Sequence, residues 1–227
     1  MSASVTGTAA GPQFYRATIG KKIVMAITGL VMAGFTVAHM AGNLGVIRGE
    51  EHFNAYAQLL RTSMPLLWAA RGVLLLSLVL HVRAALQLYA LKAKARPVAY
   101  AKKGYRTASF SSRFMIWSGY ALAAFVVFHI LHLTLGVVPG SDYVEGNVFH
   151  NVSVAFHNPI VILVYLVSMA FLFLHLQHGL YSFTQSLGLS HPGYASKAKT
   201  AAWGLAAVIA GGFAFAPIAF MANLVAR

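Results

Sequence analysis

Apolar residues along this chain come in long runs rather than in short amphipathic stripes. Five runs reach the roughly 20 residues that a helix needs to cross the hydrocarbon core of a bilayer: residues 23–47, 64–91, 114–138, 159–183 and 201–224. The pattern predicts an all-α integral membrane protein, a bundle of five transmembrane helices. Gly29, Gly34 and Gly42 in the first run are of a kind that membrane helices tolerate, and Pro217 predicts a kink near the end of the fifth. Lys21 and Lys22 ahead of the first run resemble the start of a signal peptide. The run itself is about 25 residues long, against roughly 7–15 for a signal h-region, so a retained span is expected. Residues 1–20 then form a short N-terminal segment and residues 21–227 a single membrane domain.

Composition agrees with the pattern. Charged residues make up 9% of the 227 positions, where soluble domains carry about 25%. The net charge of +13 raises the question of nucleic acid. The cations, however, sit between apolar runs and are not interleaved with aromatics along one polar surface, so no nucleic-acid partner is expected. Their distribution reads as topology. Twelve fall on one side: Arg16, Lys21, Lys22, Lys92, Lys94, Arg96, Lys102, Lys103, Arg106, Arg113, Lys197 and Lys199. The other side holds Arg48, Arg61, Arg71 and Arg227. The positive-inside rule puts the N-terminus in the cytoplasm and the C-terminus outside. All four acids, Glu50, Glu51, Asp142 and Glu145, fall in the outer loops.

The candidate chemistry lies in the histidines. With no cysteine, disulfides, iron–sulfur ligation and thioether-linked haem are excluded. Of ten histidines, four lie deep in four consecutive spans: His39, His81, His129 and His175. A single one reads most simply as a histidine hydrogen-bonded between helices; four in succession point to a cofactor, because ionisable groups inside spans are costly. At 1.5 Å per residue, His39 and His129 share a level roughly 25 Å from the inner boundary, and His81 and His175 a level roughly 15 Å from it. Two imidazoles at one level on two helices can face each other across a flat macrocycle, so two pairs predict two b-type haems stacked in a bundle core. Both axial positions filled by neutral imidazole suit electron transfer rather than oxygen chemistry. His132 and His178 each stand three residues beyond a proposed ligand and are open alternatives to it, or partners of a propionate or a quinone. Arg71 and Arg83 are candidate propionate partners, set against simple snorkelling to the interface.

These residues resemble the cytochrome b membrane-anchor subunit of succinate dehydrogenase and fumarate reductase, of the single-chain, five-helix, two-haem type. The likeness runs from about Tyr15 to Leu224. It is carried by KKIVMAITGLVMAGFTVAHMAGNL in the first span, PLLWAARGVLLLSLVLHVRAALQL in the second, FVVFHILHLTLG in the third and LHLQHGLYSFTQSLG in the fourth. The resemblance implies His175 rather than His178 as ligand, four residues before Gly-Leu-Tyr, and His129 rather than His132. It implies an outer haem on His39 and His129 and an inner haem on His81 and His175. It also implies a flavoprotein subunit with FAD, an iron–sulfur subunit docked on the inner face, and a place in the bacterial cytoplasmic membrane, with the helices in contact with lipid.

On that resemblance, electrons from succinate would pass from the iron–sulfur subunit through the inner and outer haems to a quinone, usually menaquinone in members of this type. Quinone reduction takes up protons. The leading candidate groups are Glu50, Glu51 and His52, close after the first span, with Asp142, Glu145, His150 and His157 also in the outer loops; for each, a solvated loop position is the simpler reading. A di-haem b subunit of a formate dehydrogenase or hydrogenase is an alternative. A transporter using histidine relays is another, although the internal repeats and broken helices of that class are not evident.

Overall fold

The computed structural model describes residues 14–95, 98 and 108–225. The basic residues Arg96, Lys102, Lys103, Arg106 and Arg227, and most of the expected N-terminal segment, lie outside them. Among the described residues the chain is all helical. Five long helices each have the length and apolarity to cross a membrane. They are α1 (Thr18–Asn43), extended by a 3₁₀ turn over Leu44–Arg48; α3 (Met64–Lys94); α4 (Phe110–His129), extended by a π turn over Ile130–Thr134; α6 (Pro159–Ser186); and α7 (Pro192–Met221). Two short helices, α2 (Glu50–Arg61) and α5 (Val148–Ala155), fill the connections at one end of the bundle, called here the distal end.

Local chemistry sets the helix limits. Ser109 caps α4 by accepting from the Ser112 amide at 3.2 Å, and Asn158 caps α6 by accepting from the Ile160 amide at 2.9 Å. His191 caps α7 through Nδ1, 3.1 Å from the Gly193 amide, ahead of Pro192 in the first turn. Proline is suited to that turn because its missing N–H would be unpaired there anyway. The fifth span therefore begins nine residues before the expected position 201 and draws Lys197 and Lys199 into its first turns. The third span ends at Thr134, short of 138. There the Leu135 amide bonds to the Ile130 carbonyl at 2.9 Å, and Gly136 turns left-handed at φ +62. A side chain at Gly136 would also run into the Tyr143 ring, so the position takes glycine on two counts. At Pro217 the helix continues without a break.

Helix α1 packs against α3, α6 and α7, and α6 packs against α4 and α7. Small residues allow the close approaches that drive helix association in lipid. Ala33 of α1, Leu176 of α6, and Ala206 and Ile209 of α7 form one buried cluster where three helices meet, and a Cβ on Gly212 would collide with the Met40 sulfur. Among the combinations with at most marginal backbone contact are α1 with α4 and α3 with α6. The bundle is therefore a central α1–α6 pair with α3 flanking α1 and α4 flanking α6.

The distal end is closed by an aromatic cluster of Val46, Phe53, Phe149, Val152, Phe156, Tyr165 and Phe220, among others. Polar staples hold α2 to α5. Asn54 Nδ2 donates to Asn147 Oδ1 at 2.9 Å, the Phe149 amide donates to Asn54 Oδ1 at 3.0 Å, and Asn147 Nδ2 donates to Glu50 Oε1 at 2.8 Å. Asn147 also caps α5 through the His150 amide at 3.0 Å. Losing an N-cap and its linked bonds costs about 1–2 kcal/mol. We expect Asn147→Ala to lower the thermal unfolding midpoint in detergent while leaving the helical circular dichroism unchanged; an unaltered midpoint would contradict this role for the staple.

Candidate functional site: paired imidazoles between the helices

The intramembrane histidines lie across α1–α4 and α3–α6, two of these loosely packed combinations. His39 of α1 and His129 of α4 have ring centres 5.9 Å apart with planes at 79°. His81 of α3 and His175 of α6 have ring centres 6.2 Å apart with planes at 55°. Each pair thus spans two helices that barely touch through their backbones.

In three of the four rings Nδ1 faces a partner from another helix. His81 Nδ1 donates to the Met25 carbonyl at 3.0 Å, with the Thr28 hydroxyl 3.5 Å away. His175 Nδ1 lies 3.2 Å from the Ser118 hydroxyl, and His129 Nδ1 lies 3.2 Å from the Tyr165 hydroxyl. The His39 ring instead has Asn43 of its own helix beside it, whose Nδ2 donates to the His39 carbonyl at 2.8 Å. An imidazole that donates from Nδ1 keeps the Nε2 lone pair for a metal, the arrangement that orients metal-binding histidines generally.

Backbone clearance completes the proximal pair. A Cβ on Gly29 would stand 3.1 Å from His81 Cε1, tighter than ordinary packing, so glycine makes room for that ring. Gly119 holds the matching place beside His175. In the sequence Gly29 reads only as a glycine that membrane helices tolerate, and Ser118, Gly119 and Tyr165 carry no signal of their own. One signal was present: Thr28-Gly29 stands ten residues before His39, counted from the glycine, and Ser118-Gly119 stands ten before His129. The same local device occurs on α1 and on α4.

The remaining candidates divide. His132 is 3% exposed, packs on Phe128 and has Nδ1 3.5 Å from the Tyr165 hydroxyl. His178 is half-buried one turn beyond His175. Arg83 is exposed and lies over the Tyr15 ring, and Arg71 is exposed over Trp68. Two residues on from His81, Arg83 falls on nearly the opposite side of α3. At the distal end, Glu50, Phe149, His150, Ser153, Val154 and His157 line a cavity of about 390 Å³. Glu51 and His52 are not among its walls; the Arg48 guanidinium donates to His52 Nε2 at 3.4 Å. Among the described residues there is no cluster of three or more side chains of metal-ligand type.

Fold and site together define a multi-pass helical membrane protein with two intramembrane histidine pairs. The family model for the succinate dehydrogenase/fumarate reductase transmembrane subunit matches residues 92–214, more than half of the chain, from the end of α3 into α7. The chain belongs to that family. The match takes in His129 and His175, one member of each pair. No curated protein and no solved structure matches the chain.

Proposed function

We propose that this membrane subunit of a succinate dehydrogenase/fumarate reductase complex holds two b haems, on His39 with His129 and on His81 with His175. In this reading it passes electrons between an iron–sulfur partner and a membrane quinone. The observation that carries the proposal is the spacing within the pairs. Two imidazoles on opposite faces of one metal, each bound at about 2 Å, put their ring centres roughly 6 Å apart, and the pairs stand at 5.9 and 6.2 Å. Among the described residues no group of three or more ligand-type side chains forms at either pair, and two protein ligands suit a metal whose other donors come from a macrocycle. The helices across each pair stand apart, as a large planar guest requires. A bis-imidazole haem supplies one-electron transfer with no open position for oxygen.

The protein's own part is to hold the four imidazoles, fix the tautomers of His81, His129 and His175 through Nδ1, and keep them in lipid-covered surroundings. The family supports flavoprotein and iron–sulfur partners, and to these the reading adds, from the charge distribution along the sequence, a bacterial cytoplasmic membrane with the N-terminus on its inner side. In that orientation the His39–His129 pair is the outer one. The distal cavity beside Glu50, His150 and His157 is of the size that small-molecule sites occupy and offers protonatable groups. We assign it to the quinone, with menaquinone as the expected type.

Purification of the intact complex tests the reading. We expect a low-spin b-type spectrum with two haems per chain and co-purification of flavoprotein and iron–sulfur subunits. A colourless complex would sink the haem assignment, and absence of those partners would sink the electron route. His39→Ala or His129→Ala should remove the outer haem and spare the inner, halving the haem content; loss of the inner haem alone would overturn the pairing. Gly29→Val, which crowds His81, should instead deplete the inner haem, with retention of both haems as the contrary result. Glu50→Gln should slow succinate-dependent quinone reduction by about a hundredfold, the low end of what a positioned proton donor or acceptor contributes, while reduction of a soluble dye at the partner subunits stays the same. Equal loss of both activities would place Glu50 outside the quinone site.

A further inference from the structure

We propose that Tyr165 holds His129 in the iron-binding tautomer and withholds that tautomer from His132, through one hydrogen-bond chain. The inference rests on the haem reading above and goes beyond it. Tyr165 is 6% exposed and boxed by Phe125, Phe128 and Phe156. Its hydroxyl lies 3.2 Å from His129 Nδ1 and 3.5 Å from His132 Nδ1. The two histidines stand on successive turns, and the helix passes into its π turn immediately after His129.

A phenol carries one hydrogen, and a neutral imidazole carries one N–H. The buried hydroxyl has no other acceptor for its hydrogen among the described residues, so it donates to one Nδ1 and accepts from the other. If His129 donates and Tyr165 donates onward to His132, His129 keeps a lone pair on Nε2, while His132 carries its hydrogen on Nε2 and has no lone pair left for a metal. The reverse direction would blind His129 and free His132. The ring that stands opposite His39 belongs to His129, so only the first direction gives the pair two ligands. Tyr165 is a positioning residue: it holds the ligand tautomer of one histidine and withholds it from the neighbour three residues away. Accepting from a ligand's N–H also makes that imidazole a stronger donor to the metal, which stabilises the oxidised form.

Potentiometric titration of the purified complex carrying Tyr165→Phe tests this, because phenylalanine keeps the aromatic packing and removes the chain. We expect both haems to remain and the outer haem to become easier to reduce. The expected size is about tenfold in the oxidised-to-reduced ratio at fixed potential, equivalent to about 59 mV for one electron. The outer haem's low-spin electron paramagnetic resonance signal should move as well, with the inner haem unchanged as internal control. An outer haem with unaltered potential and signal would overturn the proposal. His132→Leu gives a second test that does not depend on Tyr165→Phe assembling: both haems should be retained, and loss of the outer haem would identify His132 as a ligand and overturn the proposal. A wild-type complex without haem would defeat the haem reading itself, a result distinct from either of these.

Discussion

A neutral imidazole in hydrocarbon has two nitrogens to satisfy and no water to satisfy them with, and an unpaired polar group there costs several kcal/mol. The bundle meets that constraint for His81, His129 and His175 by bringing a carbonyl or hydroxyl from a different helix to each Nδ1. Those contacts link α3 to α1, α6 to α4, and α4 to α6. The helix arrangement follows them: α1 supports the ring of α3, and α4 and α6 support each other's rings. Packing that simply maximised backbone contact would also close α1 on α4 and α3 on α6. Those combinations stay open, and across them the imidazoles meet.

The two ends of the bundle serve this arrangement differently. Near the proximal pair the devices are small, a glycine beside each ring and a hydroxyl one residue before it. Near the outer pair they are large. Tyr165 is held by Phe125, Phe128 and Phe156, and Phe156 continues into the distal cluster with Phe220. The Asn54–Asn147 staple fixes α5, which carries part of that cluster, and also holds the Glu50 carboxylate at the cavity. Cavity wall and aromatic plug are thus parts of one structure, and strain introduced at α2 or α5 would be transmitted to the surroundings of His129.

Much of this was legible in the residues alone because lipid imposes simple rules. Span length, charge asymmetry and histidine depth all follow from the thickness of the hydrocarbon layer and a fixed rise per residue. The five spans and the grouping of His39 with His129 and His81 with His175 came from that arithmetic. Helices α2 and α5 did not, since neither is long enough to register as a span, and the staple joining them links residues about ninety positions apart. Tyr165 gave no sign, because one tyrosine in an apolar run is ordinary. Its role depends on a contact with α4 that only the assembled bundle contains. Of Glu50, Glu51 and His52, the start of α2 places the first on the wall of the distal cavity.

The repeated Thr-Gly and Ser-Gly placements show how one helix can serve two sites. Ten residues of α-helix advance about 15 Å and leave the direction rotated by roughly 80°. On α1, Gly29 therefore faces His81 of α3 while His39 faces His129 of α4. On α4, Gly119 faces His175 of α6 while His129 faces His39 of α1. Each of these helices supplies clearance at one level and a ring at the other, directed at two different neighbours. The spacing is thus a joint solution for depth and direction. An insertion or deletion of one residue between Gly29 and His39 would rotate one site by about 100° relative to the other, so that either the clearance at His81 or the pairing with His129 would be lost.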